Sequence, residues 1–199
     1  MGNNEVARSL RSPLDDDGNI VTLRLLRPAS EVRFVGPMAM PAELYFLARR
    51  PVALAGMAYP SRVDWTALHD EGLRHVVCLT HDEAPYDPAP LTVTAIALQD
   101  LYTGLVPDDP TAELERIARA ATVVVDSLAT GAGVAVHCRG GRGRAGTVLG
   151  SALVMLGHDA DAVVAHLDRI HTIRGKGGWP ESTWQADAVR SLGGSRPSA

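Results

Sequence analysis

Cysteine is scarce in this 199-residue chain. Cys78 and Cys138 are the two present, which excludes a disulfide-built scaffold. Neither has a neighbouring Cys or His at the spacing of a zinc site, so no metal and no other cofactor is expected. A reduced, cytoplasmic setting is the matching expectation. Lysine is almost missing as well, since eighteen of the nineteen basic residues are arginine, a bias that by itself supports no functional statement. Positive charge is not in surplus: the formal net charge of −4 argues against nucleic acid or anionic membrane as partners of the whole surface. Any anion site must be local. Long apolar runs are lacking too. The longest uncharged stretch, Ala145 to His158, is about 14 residues against the ~20 that a membrane helix requires. The polar start MGNNEVARSLRSPLDDDG has no signal-peptide core. A soluble protein without an integral membrane segment is expected.

What is present suits one core. At 46% apolar composition the chain reads as a single domain over 19–192, with polar tails at 1–18 and 193–199. Short β-rich runs at 20–26, 32–36, 52–57, 73–79, 91–98 and 133–138 alternate with helical patterns, which predicts an α/β layer fold. Ser61, three residues before Asp64, reads as the start of a capping box, and Gly72 as a helix stop. Asp109 and Pro110 read as an N-cap and first helical position, followed by apolar residues at helical period through Leu128. A buried helix is predicted over 144–156, and amphipathic helices over 159–173 and 181–192.

The segment HCRGGRGRAGT, residues 137–147, lies between a buried strand and the buried helix. Such a junction makes backbone N–H groups converge on a phosphate, because glycines allow tight curvature and the helix N-terminus adds a positive dipole. Five residues separate Cys138 from Arg144. That spacing lets the loop close, with the sulfur at its floor and the guanidinium clasping two phosphate oxygens. Residues Arg139, Gly140, Gly141, Arg142, Gly143 and Arg144 are thus the expected phosphate-binding set. A free thiol is mostly protonated at neutral pH, but converging N–H groups, a helix N-terminus and an arginine stabilise the thiolate. The thiolate can attack phosphorus and form a cysteinyl-phosphate that water later hydrolyses.

On these residues the chain resembles the protein tyrosine phosphatase superfamily, especially its small dual-specificity branch, whose signature is His-Cys, five residues, Arg. The resemblance extends over about residues 50–190. It implies a central, mostly parallel sheet flanked by helices and metal-free hydrolysis of a phosphomonoester. The expected substrate is a phosphorylated protein, with an inositol phosphate or phosphoinositide as the alternative. It also implies an aspartate acid 30–40 residues before the cysteine. Asp100 stands 38 residues before Cys138, just after a strand-like run, and Asp108 and Asp109 are the alternatives. Gln185 matches a late-helix glutamine that assists the hydrolytic water, and His137 a histidine that orders the loop from beneath.

The chain departs from the family pattern at three places. Ala145 replaces the Ser or Thr that follows the loop arginine and helps the sulfur leave, a feature similar to the phosphatases of regenerating liver, with Thr147 as a possible substitute donor. Slow breakdown of the intermediate, or a substrate-trapping module with little turnover, is the implied consequence. Cys78 resembles a cysteine that pairs reversibly with the nucleophile in the same enzymes, although a buried free thiol is the alternative. Arg139 and Arg142 resemble basic loop residues of tensin-related phosphoinositide phosphatases, or else turn outward to acidic neighbours. Roles for residues 19–50 and the oligomeric state are not legible.

Overall fold

Six strand-forming runs assemble into one sheet. The computed structural model describes residues 32–35, 42–61 and 63–193. The strands are β1 (Val32–Val35), β2 (Ala42–Ala48), β3 (Leu54–Met57), β4 (Leu73–Cys78), β5 (Thr92–Ala95) and β6 (Gly133–His137), in the spatial order β1-β2-β3-β6-β4-β5. The β3–β6, β6–β4 and β4–β5 pairings are parallel, whereas β1–β2 and β2–β3 are antiparallel. The sheet is therefore mostly parallel where it carries β6, as the resemblance implies. Within 19–50, strands β1 and β2 contribute its antiparallel edge. The run predicted at 20–26 and residues 1–18 and 194–199 of the predicted tails lie outside the described residues.

Burial on both faces explains why β6 reads as an unbroken apolar run: all five of its residues are buried. One face carries helices α2 (Pro110–Ala129), α3 (Gly143–Met155), α4 (Ala160–Ile173) and α5 (Thr183–Ser191) over a large core that includes Val77, Val136, Leu149 and Leu153. The other face carries the short α1 (Trp65–Asp70) over a smaller core around Phe46, Met57, Leu68 and Val76. Helix α3 lies among α2, α4 and α5, which is why nearly all of its residues are apolar or small.

Local chemistry sets the helix boundaries. Asp109 caps α2 by accepting from Thr111 N (3.1 Å) and Ala112 N (3.0 Å), with Pro110 at the first position. A cap of this kind contributes about 1 kcal/mol. The α1 start needs correction: the N-cap is Asp64, whose Oδ1 accepts from Ala67 N at 3.0 Å, rather than Ser61. Gly72 stops α1 at φ +92°. Among the described residues, no helix is long and apolar enough to cross a membrane.

Candidate active site

Cys138 directly follows β6 and is 3% exposed; Arg144, in the first turn of α3, is 8% exposed. The loop between them is shaped by where its carbonyls go. In a trans peptide the C=O of one residue and the N–H of the next point in opposite directions, so a carbonyl held outward turns the following N–H inward. Arg139 O accepts from Tyr59 N at 3.1 Å. Gly140 O and Gly141 O accept from the Arg174 guanidinium at 3.5 and 2.8 Å. Arg142 O accepts from Gly146 N at 2.7 Å. Gly143 O accepts from Trp179 Nε1 at 3.3 Å and from Thr147 Oγ1 at 2.9 Å. Four of these five successive carbonyls are anchored outside the loop and Gly140 O is held weakly, which turns the N–H groups that follow toward its interior. The result is an anion nest at a helix N-terminus.

Two glycines make this curvature possible. Gly141 has φ +63°, and a Cβ there would stand 2.6 Å from the backbone of Met57 and Ala58. At Gly146 a Cβ would fall 2.5 Å from Trp179 Nε1, so its absence lets the indole reach the Gly143 carbonyl.

Arg144 and Asp100 line one cavity of about 440 Å³ together with Tyr59, Thr80, His81 and Arg139. Arg144 Nη2 pairs with Asp100 Oδ2 at 2.8 Å, and Nη1 donates to Leu98 O at 3.3 Å and, at the long distance of 3.5 Å, to Leu79 O. Its Nε is buried without a hydrogen-bond partner, leaving a donor on the fork edge that reads oxyanions. Of the three candidate acids, Asp100 lines the cavity. Asp109 is committed to its cap, and the backbone N of Asp108 donates to Gln99 Oε1 at 2.9 Å.

The remaining expected residues divide clearly. The Arg142 side chain turns outward, donating through Nε to Gly178 O at 2.6 Å and through Nη2 to Gly177 O at 3.2 Å, and it pairs with Glu181 at 3.4 Å. Arg142 therefore belongs to the loop through its backbone, not through its charge. Arg139 stays exposed at the cavity. Gln185 is 2% exposed, and its Oε1 accepts from Glu181 N (2.9 Å) and Ser182 N (3.3 Å). Its Nε2 lies toward Gly143. Thr147 spends its hydroxyl on Gly143 O, and Ala145 is fully buried.

His137 is fully buried, and burial holds its pKa down to about 4, so the ring is neutral. Tyr86, whose own pKa is raised by burial first and Cys78 second, donates to His137 Nε2 at 2.5 Å. With Tyr86 as donor the ring proton sits on Nδ1, which is buried without a hydrogen-bond partner. Cys78 lies opposite His137 in register, the residue before Cys138, with Sγ 3.4 Å from Thr80 Oγ1. Both cysteines are free.

Sequence reasoning missed Arg174, Trp179, Tyr86 and Tyr59. Arg174 sits over the Tyr45 ring at 4.1 Å and donates to His171 Nδ1 at 2.5 Å. The segment GKGGWPE was the available signal: glycines and an aromatic between two helices mark close backbone approach.

A family model described as "PTP-SAK: Swiss Army Knife protein, DSP-PTPase phosphatase domain" matches residues 45–190. Solved structures of the same fold include DUSP15, at TM-score 0.55 and 14% identity, covering 74% of this chain and 86% of that one. TpbA of P. aeruginosa, solved in complex with pTyr, is similar at TM-score 0.51 and 20% identity, covering 84% and 96%. The core catalytic domain of the PP-IP phosphatase SIW14 from S. cerevisiae matches at TM-score 0.51 and 11% identity, covering 86% and 88%. With the matched residues covering strands β3 to β6, the loop from Cys138 to Arg144 and the helices behind it, the chain belongs to the DSP-PTPase phosphatases and is a protein tyrosine/dual-specificity phosphatase.

Proposed function

We propose that this chain hydrolyses phosphomonoesters of phosphorylated proteins, on tyrosine and on serine or threonine, through a cysteinyl-phosphate on Cys138. The observation that carries the reading is the outward anchoring of the loop carbonyls after a buried cysteine, with Arg144 and Asp100 paired in the cavity. A dianionic phosphate entering the loop is met by the inward N–H groups and by the Nε and Nη2 edge of Arg144, which exchanges Asp100 for the ligand. The loop and Arg144 supply the positive field that a metal supplies in other phosphatases. Asp100, displaced from Arg144, takes up a proton; Cys138 Sγ then attacks phosphorus, the bond to the leaving oxygen breaks, and Asp100 gives that oxygen its proton. In the second step Asp100 takes a proton from water as the S–P bond breaks. Gln185 Nε2, beside Gly143, is the group that contacts this water.

A second reading, an inositol phosphate substrate, is supported by Arg139 at the cavity rim, whereas Arg142 is committed elsewhere. A third, phosphate binding with little turnover, is supported by Ala145. Metal-free hydrolysis of para-nitrophenyl phosphate, vanadate inhibition and its loss in Cys138→Ser test the catalytic reading; phosphopeptide binding without turnover would refute it. Phosphotyrosine and phosphothreonine peptides compared with inositol phosphates decide the substrate class.

We also propose a protective oxidised form. Peroxide converts the Cys138 thiolate to a sulfenic acid, and the Cys78 thiol condenses with it, releasing water and forming a disulfide. Sulfinic acid on Cys138 with no bond to Cys78 after mild peroxide, read by mass spectrometry, would overturn this.

A further inference from the structure

Asp100 stands on a stretch, residues 96–109, that forms neither helix nor strand; Ile96 N and Leu98 N still donate to Cys78 O (2.9 Å) and Leu79 O (3.2 Å) at the sheet, and beyond Leu98 the backbone closes one turn, Leu105 N to Tyr102 O at 3.0 Å. Tyr102, Leu105 and Val106 are exposed on it. Past Leu98 a segment of that kind retains conformational freedom unless side chains hold it. A displacement of about 1 Å between catalytic groups costs on the order of 100-fold in rate.

Contacts at both ends restrain it. Near its start, Glu113, a buried carboxylate in the first turn of α2, accepts from Gln99 N at 2.8 Å. The Gln99 side chain then accepts from Asp108 N at 2.9 Å and draws the two ends together. Near its tip, Ser182 Oγ at the start of α5 donates to Leu105 O. Ser182 is itself fixed, because Gln185 Oε1 accepts from its N–H and from that of Glu181. The same segment holds the phosphate loop: Trp179 reaches Gly143 O, while Gly177 and Gly178 accept from Arg142. One stretch between α4 and α5 therefore grips both the loop that binds phosphate and the loop that bears the acid.

We propose that Ser182 and Glu113 are positioning residues for proton transfer, a two-point latch that keeps the Asp100 carboxyl over the leaving oxygen. The inference rests on the reading of Asp100 as the acid. The latch moves no proton itself: the proton passes from Asp100 to the leaving oxygen as the Sγ–P bond forms and the P–O bond breaks.

The test uses the full chain and a series of aryl phosphates of graded leaving-group basicity. A well-placed acid matters most for poor leaving groups and little for good ones. Asp100→Asn is expected to steepen the dependence of kcat/KM on leaving group. Ser182→Ala should lose about tenfold on phenyl phosphate but less than about twofold on dinitrophenyl phosphate, a partial loss of acid catalysis. Ser182→Thr, which keeps the hydroxyl, should restore the wild-type pattern. Glu113→Ala loosens the other end and should repeat the pattern, so it decides the matter if Ser182→Ala does not fold. An equal loss across the series, or no loss, overturns the latch. If Asp100→Asn steepens the series and the latch variants do not, the latch falls and the acid stands. A flat series in Asp100→Asn removes both.

Discussion

Removing the donors of Arg174 tests the claim that outward anchoring of carbonyls makes the phosphate site. Arg174→Met keeps an unbranched apolar stem near Tyr45 and deletes the guanidinium. Two hydrogen bonds to the loop go with it: the one to Gly141 O at 2.8 Å, and the one to Gly140 O at 3.5 Å, which is too long to count for much. A charge-assisted bond of the first kind contributes about 1.5–3 kcal/mol. Once released, the Gly141 carbonyl is free to turn inward, which replaces the Arg142 N–H donor with an acceptor facing the anion. If about 2 kcal/mol of loop order is lost from binding, oxyanion affinity falls roughly 30-fold. Orthovanadate titrated into folded protein measures this directly. Thermal unfolding measured in parallel will also report a loss, since Arg174 contacts Tyr45 and His171. Vanadate affinity unchanged within twofold in a folded variant would refute the argument, whatever the change in stability.

Wild-type protein is expected to show a pre-steady-state burst, and Ala145→Ser to raise the steady-state rate about tenfold by giving the sulfur a donor as it leaves; stopped-flow traces without a burst, and no acceleration, would count against this. Gly141→Ala should retain its circular dichroism but lose vanadate binding, because left-handed backbone and a Cβ 2.6 Å from neighbouring backbone cannot both be accommodated. Stability should fall as pH drops below about 6.5. Burial holds His137 down to about 4, and burial followed by the charges of Arg174, Arg142 and Lys176 holds His171 down to about 2, so the unfolded chain binds protons first. Between about pH 7.5 and 5 each contributes a loss of about 2 kcal/mol. His75, His158 and His166, also lowered by burial, add in the same direction. Urea unfolding at several pH values checks this, and a flat profile over that interval would contradict it.

Strong local signals made much of the fold legible. The helix opened by Asp109 and Pro110 and the apolar strand before Cys138 follow from caps and burial, and both lie where the residues predict. Strand β2 was harder to see because Tyr45 and Phe46 serve opposite faces of the sheet, leaving no alternation of polar and apolar residues in AELYFLA. At the site, Cys138 and Arg144 stood out because phosphate chemistry prescribes their types and spacing, while Asp100 was singled out by the family resemblance and lines the same cavity as Arg144. The carbonyl anchors were not. Arg174 and Trp179 act through backbone atoms more than thirty positions away, and no local pattern encodes such a contact. For Arg142 the residues left two readings open, a ligand contact or an outward turn to acidic neighbours, and Gly177, Gly178 and Glu181 hold its side chain outward.

The Arg144–Asp100 pair makes the resting site its own competitor. A carboxylate tethered beside the guanidinium occupies part of the fork before any ligand arrives, so an incoming anion binds by exchange rather than by simple capture. Weak monoanions gain little from that exchange, because they replace one single charge with another and lose their own hydration. A phosphate dianion is also met by the N–H groups of the loop, and in the proposed mechanism it frees the Asp100 carboxylate to take up the proton it then delivers. The pair thus acts as a charge threshold, and the act of crossing it releases the catalyst.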